Sequence, residues 1–224
     1  MHQIRRAIIL AAGRGTRLRP YTDTIPKPML PVNHVPIIER LIMSLHQAHI
    51  YDITIVTGYR ARQFEYLKSL YNVNLVRNPD FNHGSNLLSL KCVSHLIDDC
   101  ILLDGDIILN PRAIRSEVPG SGYSYVHRTR ASEWAIIFKS SNHIDSIVPD
   151  LTEKHDFNAL YSISYWVGDG ARQLRQLIHN HKDDVNYYDD LAITIPNLYG
   201  YKIRSSDLTE IDTVEDYERL LKGE

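Results

Sequence analysis

At 224 residues, 43% apolar and 23% charged, the chain has the composition of a globular protein long enough to bury a full core. A formal net charge of −2 argues against a nucleic-acid partner, and there is no apolar run of the roughly 18 residues that a membrane span needs. Four apolar residues after Arg5-Arg6 are too few for a signal peptide, and Cys92 and Cys100 fit no metal or redox spacing; both are expected as reduced thiols in a cytoplasmic protein.

In chain order, the apolar run Ala7-Ile8-Ile9-Leu10 reads as a buried first strand and runs into Gly13-Arg14-Gly15-Thr16-Arg17. Glycines let the backbone turn sharply and bring N–H groups against an anion, and Arg17 and Lys27 add positive charge, so the segment reads as a phosphate cradle. It lacks the Gly-Lys-Ser/Thr of a Walker loop, and Leu18 stands where a dinucleotide fingerprint needs its third glycine. The spacing predicts helices over 36–46, around Phe64 to Tyr71 and over 85–96, with strands at 53–56, 73–76 and 100–103. Such alternation implies a parallel sheet covered on both faces, with the ligand at the carboxyl ends of the strands, where the glycine loop, Gly58-Tyr59 and Asp104-Gly105-Asp106 should converge. In the second half, 122–126, 134–138 and 161–167 read as strands of a smaller, partly antiparallel lobe over the cleft mouth. Residues 171–178 and 188–193 look helical, 199–203 is a late strand and 213–221 a closing helix. The expected division is about 1–118 for a nucleotide-binding half, about 119–200 for a substrate lobe and 201–224 for a returning strand and helix, all in one domain.

Two features carry metal chemistry. Mg²⁺ favours one or two carboxylates together with phosphate oxygens and water, so Asp104-Gly105-Asp106 beside a phosphate loop reads as a metal site, with Asp106 the preferred ligand. Near the C-terminus, Asp212 precedes Glu215 and an apolar-striped helix; it is either a second metal ligand or an N-cap with Asp in place of Ser or Thr. His179 and His181 are read as solvated polar residues.

Leu-Ala-Ala-Gly-x-Gly-Thr-Arg-Leu followed by Pro26-Lys27 resembles the signature of nucleotidyltransferases that join an NTP to a phosphorylated small molecule and release pyrophosphate. With Asn78 to Leu90, Leu103 to Asp106, Glu133-Trp134, Ser162 to Trp166, Tyr187 to Asp190 and Glu210 to Tyr217, nearly the whole chain resembles the small bacterial CTP:phosphocholine cytidylyltransferases. That resemblance implies an α/β fold: a Rossmann-like, mixed but mostly parallel sheet flanked by helices, with a small, partly antiparallel substrate lobe. It implies CTP and phosphocholine as substrates and Mg²⁺ as cofactor, held by Asp106 and Asp212. Leu10, Ala11, Ala12, Gly13, Arg14, Gly15, Thr16, Arg17, Lys27, Asn86, Ser89 and Asp104 are the expected nucleotide-binding residues, and Arg17, Lys27 and Asp106 the expected catalytic ones.

A quaternary ammonium has no N–H to donate and is recognised by aromatic faces with carboxylates nearby. Glu133, Trp134, Trp166, Tyr187, Tyr188 and Asp189 supply both and are the expected acceptor-binding set, although core packing would also account for either tryptophan. Tyr188 and Asp190 depart from the family's pattern of Trp and Asn. Phosphoethanolamine, 2-aminoethylphosphonate and sugar 1-phosphates therefore stay open as acceptors, as does a silent nucleotide-sensing domain. Oligomeric state is open, a homo-oligomer included.

Overall fold

A continuous apolar strand has no polar face to offer water, so Ala7–Leu10 can only sit inside a sheet covered on both sides. The computed structural model, which describes residues 1–83, 86–128, 134–140, 142–148, 157–181 and 187–223, puts it there. Strands β1 (Arg6–Ala11), β2 (Asp52–Thr57), β3 (Asn74–Arg77) and β4 (Cys100–Asp104) form the parallel half of the sheet, in the spatial order 4-1-2-3. Alternation along β1 sends Ala7, Ile9 and Ala11 to one face and Ile8 and Leu10 to the other. The first face is covered by α1 (Ile37–Gln47), whose Ile38, Leu41, Ile42 and Leu45 are fully buried. Burial of each is worth about 1.5–3 kcal/mol, enough to seat the helix firmly. Helix α2 (Tyr66–Tyr71) joins the first-face core through Leu67, and α3 (Asn86–Lys91) packs on the second face through Leu87 and Leu90.

The second half adds β5 (Ile107–Leu109), β6 (Gly122–Arg128), β7 (Ala135–Phe138), β8 (Ile144–Val148) and β9 (Phe157–Trp166), then α4 (Gly168–Asn180), α5 (Tyr188–Ala192), β10 (Tyr199–Lys202), β11 (Leu208–Glu210) and α6 (Val214–Lys222). Apart from β5 and β11, which form a two-stranded sheet of their own, its strands join the parallel half. Strand β9 pairs antiparallel with β4, Ile163 opposite Leu103 and Trp166 opposite Cys100, so both halves share one nine-stranded mixed sheet. Strand β6 then pairs antiparallel with β9 and parallel with β10. Helices α3, α4 and α5 cover the second face, over Ile8, Leu10, Leu102 and Trp166.

Several elements differ from expectation. Helix α3 stops at Lys91, and a separate 3₁₀ turn spans Ser94–Leu96. Strands β5 and β11, three residues each, carry too few residues to show a period, and β8 is an addition to the expected strands. β5 and β11 pair antiparallel, and this ladder carries the chain from Asp106 outward and back to Asp212. A small third cluster of Leu18, Leu30, Val32, Ile37, Ile211 and Tyr217 ties the end of the glycine loop to α6.

Candidate active site

The glycine loop leaves the carboxyl end of β1 and turns at Gly15, whose φ of +63° favours glycine. Space demands glycine as well, since a Cβ there would lie 2.8 Å from Lys27 Cβ. The turn is pinned twice: Thr22 Oγ1 donates to the Gly15 carbonyl at 2.8 Å, and the Leu18 N–H donates to the same carbonyl at 3.0 Å. Leu18 is fully buried, so Thr16 and Arg17 are held out over the cleft. Tyr59 braces the loop from behind, donating to the carbonyls of Thr22 and Asp23. Gly58-Tyr59 thus supports the cleft without lining it.

The cleft has a volume of about 450 Å³. Every residue from Leu10 to Leu18 lines it, with Lys27, Asn86, Ser89, Asp104 and Asp106, so the whole expected nucleotide-binding set meets there. The wall also includes Gly105, between the two expected aspartates, Phe81 and Asn82 from the segment Asn78 to Leu90, and Pro28, which sequence reasoning did not single out. Asn82 is tied to the glycine loop by Arg14, whose Nε and Nη2 both donate to its Oδ1 at 3.0 and 2.8 Å. Ser89 Oγ accepts from Asn78 Nδ2 at 3.0 Å, leaving its own hydroxyl proton for a ligand. A larger open groove of about 1030 Å³ lies elsewhere, lined by Arg112, Arg115, Lys202 and Arg204 among others, and holds none of the expected site residues.

At one end of the cleft sits a cluster of charge. Lys27 Nζ donates to Asp106 Oδ2 at 2.6 Å and to Asp212 Oδ1 at 2.8 Å, and Arg17 Nη2 reaches the same Asp212 oxygen at 3.1 Å. The Lys27 side chain is only 8% exposed. Burial by itself would lower its pKa; the two carboxylates outweigh that and hold it above the ordinary lysine value. Asp106 Oδ1 is buried and has no hydrogen-bond partner. Asp212 does not cap α6. Thr213 does, in a capping box with Asp216, because a Thr hydroxyl at N-cap and a carboxylate at N3 satisfy each other's backbone donors. Freed from capping, the Asp212 carboxylate turns to Lys27 and Arg17.

The acceptor-binding set is scattered more widely. Tyr187, 51% exposed, lies on the cleft wall. Trp166 and Tyr188 are instead in the core, 0% and 3% exposed. Trp166 stands edge-on to Tyr123 at 5.9 Å, its indole N–H donating to Ser164 Oγ at 2.8 Å, and Ser164 Oγ is 3.3 Å from the Tyr188 hydroxyl. Both rings lie in the core between the sheet's second face and helices α3, α4 and α5, where alternation along β9 and the inward face of α5 direct them. Trp134 is partly buried against the same cluster and lines no part of the cleft. Asp189 accepts the Tyr123 hydroxyl at 3.0 Å. Burial pushes its carboxyl up to about 6, against the lowering effect of the hydrogen bond from Tyr123. Glu133 lies outside the described residues.

A glycine loop with cations beside a carboxylate pair suits a polyphosphate and a divalent cation. The two carboxylates already share one cation, the Lys27 ammonium, and the unpartnered Asp106 oxygen is a further ligand position, so the donor set fits a hard divalent metal. Among the described residues no group of three His, Cys, Asp or Glu side chains comes together.

Comparison with known proteins points the same way. Residues 7–185 match the MobA-like NTP transferase domain. The choline-phosphate cytidylyltransferase of Haemophilus influenzae is 31% identical over 96% of each chain. The 2-aminoethylphosphonate cytidylyltransferase of Lancefieldella rimae is 27% identical over 94% of this chain and 89% of its own length. The solved CTP:phosphocholine cytidylyltransferase of Streptococcus pneumoniae superposes with a TM-score of 0.90 at 31% identity, over 97% of each chain. The chain is therefore a nucleotidyltransferase: it belongs to the MobA-like NTP transferases and, among them, to the choline-phosphate cytidylyltransferase family.

Proposed function

We propose that the chain transfers a cytidylyl group from CTP to phosphocholine, yielding CDP-choline and pyrophosphate. The observation that carries this reading is the cation–carboxylate cluster of Lys27, Arg17, Asp106 and Asp212 at the end of the glycine-loop cleft. The triphosphate would lie over the Gly13–Gly15 backbone, whose N–H groups face an anion without side chains in the way. Arg17 and Lys27, now spent on carboxylates, would then be drawn to phosphate oxygens. Asp106 and Asp212 would hold Mg²⁺, which when bound supplies charge neutralisation at the α-phosphate. An acceptor phosphate oxygen attacks the α-phosphorus in line; the new O–Pα bond forms as the bond to the bridging oxygen of pyrophosphate breaks, and that oxygen keeps the electron pair. The attacking oxygen is already an anion, so no general base is required. The protein's contribution is positioning and electrostatic stabilisation.

The acceptor would enter beside Tyr187, whose exposed ring is available to a quaternary ammonium. In this reading residues up to about 118 hold the nucleotide, the strands after them shape the acceptor end, and the last segment returns Asp212 to the cleft. No helix among the described residues is long and apolar enough to cross a membrane, and we place the reaction in the cytoplasm. The Lancefieldella rimae relative favours 2-aminoethylphosphonate as the second reading.

The test is pyrophosphate release with Mg²⁺ over a grid of CTP, UTP, ATP and dTTP against phosphocholine, phosphoethanolamine, 2-aminoethylphosphonate and glucose 1-phosphate. Turnover confined to CTP with phosphocholine is expected. Preference for the phosphonate would move the acceptor assignment, and turnover only with a sugar phosphate would overturn the amine reading.

A further inference from the structure

Asn86 joins the cleft to the segment that carries Tyr187. It opens α3 and lines the cleft, and its Oδ1 accepts the backbone N–H of Tyr188 at 2.9 Å. A backbone N–H can be met only by the oxygen of the amide, so this bond decides which end of the side chain faces where. The oxygen is taken by Tyr188, and the NH₂ end remains as a donor toward a ligand in the cleft.

The N–H that Asn86 holds belongs to the peptide joining Tyr187 to Tyr188. The other end of that peptide is held as well, since the Tyr187 carbonyl accepts from the Asp190 N–H at 3.2 Å. Behind it the Tyr188 ring is 3% exposed, with its hydroxyl 3.3 Å from Ser164 Oγ. The peptide plane is set from both ends, one bond lying within the start of α5 and the other reaching across from α3. Tyr187 precedes that plane in extended backbone, with φ −118° and ψ 134°, and its ring stands on the cleft wall.

We propose that Asn86 positions the ring of Tyr187 for the acceptor as well as meeting the nucleotide, so that one side chain ties the two substrate sites together. The inference rests on the reading of Tyr187 as an acceptor contact. A nucleotide that takes the NH₂ donor holds the amide plane, and with it the Tyr187–Tyr188 peptide. The acceptor then meets a ring already in place, which lowers the entropy lost when it binds. Bound nucleotide therefore strengthens acceptor binding.

The two ends of the amide can be separated by substitution. Asn86→Asp keeps an oxygen for the Tyr188 N–H and removes the donor to the nucleotide; Asn86→Ala removes both. The experiment measures KM for phosphocholine at saturating CTP, and for CTP at saturating phosphocholine, in wild type, Asn86→Ala, Asn86→Asp, Tyr187→Ala and Asn86→Ala/Tyr187→Ala. Both Asn86 variants are expected to raise the CTP KM by about tenfold, the size of one lost hydrogen bond. Asn86→Ala should also raise the phosphocholine KM by about tenfold, whereas Asn86→Asp should leave it within about threefold of wild type. In the Tyr187→Ala background, Asn86→Ala should add less than about twofold to the phosphocholine KM, because the ring through which it acts is gone. That non-additivity is not expected of general damage to the fold, and Asn86→Asp carries the test if Asn86→Ala misfolds. The proposal is overturned if Asn86→Ala moves only the CTP KM, if Asn86→Asp raises the phosphocholine KM by tenfold, or if the double variant shows the full product of the two single effects. A phosphocholine KM unmoved in Tyr187→Ala by itself would remove the acceptor reading of Tyr187 first, and this inference with it.

Discussion

Replacing Lys27 by Met asks how much one shielded ammonium holds together. The nitrogen lies 2.6 Å from Asp106 and 2.8 Å from Asp212; the lysine side chain is 8% exposed and the carboxylates 23% and 33%. Methionine keeps most of the aliphatic stem, so the change removes charge more than volume. It leaves two neighbouring carboxylates, with Arg17 on Asp212 as the remaining cation. Removing one partner of a fully buried pair costs about 3–5 kcal/mol. Here the acids are partly hydrated, and about 2–3 kcal/mol is expected. In a chain of this size each kcal/mol shifts Tm by about 2–4 °C, so melting should fall by about 5–10 °C. The assay is thermal unfolding of wild type, Lys27→Met and Lys27→Met/Asp106→Asn in chelator, then with Mn²⁺ and no nucleotide. The double variant should regain part of the loss, since one uncompensated charge is gone. Mn²⁺ should stabilise Lys27→Met more than wild type, because a ligand raises Tm only as far as it binds the folded state and wild type already carries its own cation there. The sign with pH follows from the raised Lys27 pKa: the contribution is complete below the ordinary lysine value and is lost only as pH rises through the folded one, so the gap should hold from about pH 7 to 9. A variant melting within about 1 °C of wild type, with the same response to Mn²⁺, would refute the idea that Lys27 holds the acidic pair.

Other substitutions have sharper local readouts. Tyr187→Ala, at an exposed ring on the cleft wall, should raise the acceptor KM by about tenfold with Tm unchanged, the size of an aromatic–cation contact; an equal rise for CTP would count against the acceptor-side assignment. Trp166→Phe should lower stability by about 1–3 kcal/mol in urea denaturation, by stranding Ser164 and leaving a cavity, while neither KM moves; an acceptor-specific effect would contradict its core placement. Thr213→Ala removes the N-cap of α6 and should cost about 1 kcal/mol by the same assay, whereas Asp212→Asn should spare the helix and abolish turnover. The Asp189 carboxyl, raised to about 6, keeps its proton in the folded chain while the unfolded chain has lost it, so wild type loses stability from this group as pH rises through about 4 to 6. Asp189→Asn should gain on wild type across that window, and a pH-independent difference between them would argue that Asp189 is ionised throughout.

The sequence by itself determined what is local. A strand running into Gly13-Arg14-Gly15 needs contiguous residues only, because backbone conformation and close anion approach are decided within a few positions. The same holds for the apolar runs that became β1, β2 and β4 and for Asp104-Gly105-Asp106 at the end of a strand. Whether an aromatic faces ligand or core was not local. Trp166 and Tyr187 look alike as sequence, yet β9 alternation turns Trp166 inward against Tyr123, while Tyr187 stands just before α5 and stays on the cleft wall. The capping of α6 was ambiguous because Asp212 and Thr213 are adjacent and both cap helices well; only the Thr213–Asp216 box released Asp212. The cluster that carries the proposed chemistry was implied by the family resemblance and by no local pattern. Lys27 meets Asp106 across 79 positions and Asp212 across 185. That meeting depends on β5 pairing with β11 and on the small core that seats α6 against the loop, and no local preference encodes either.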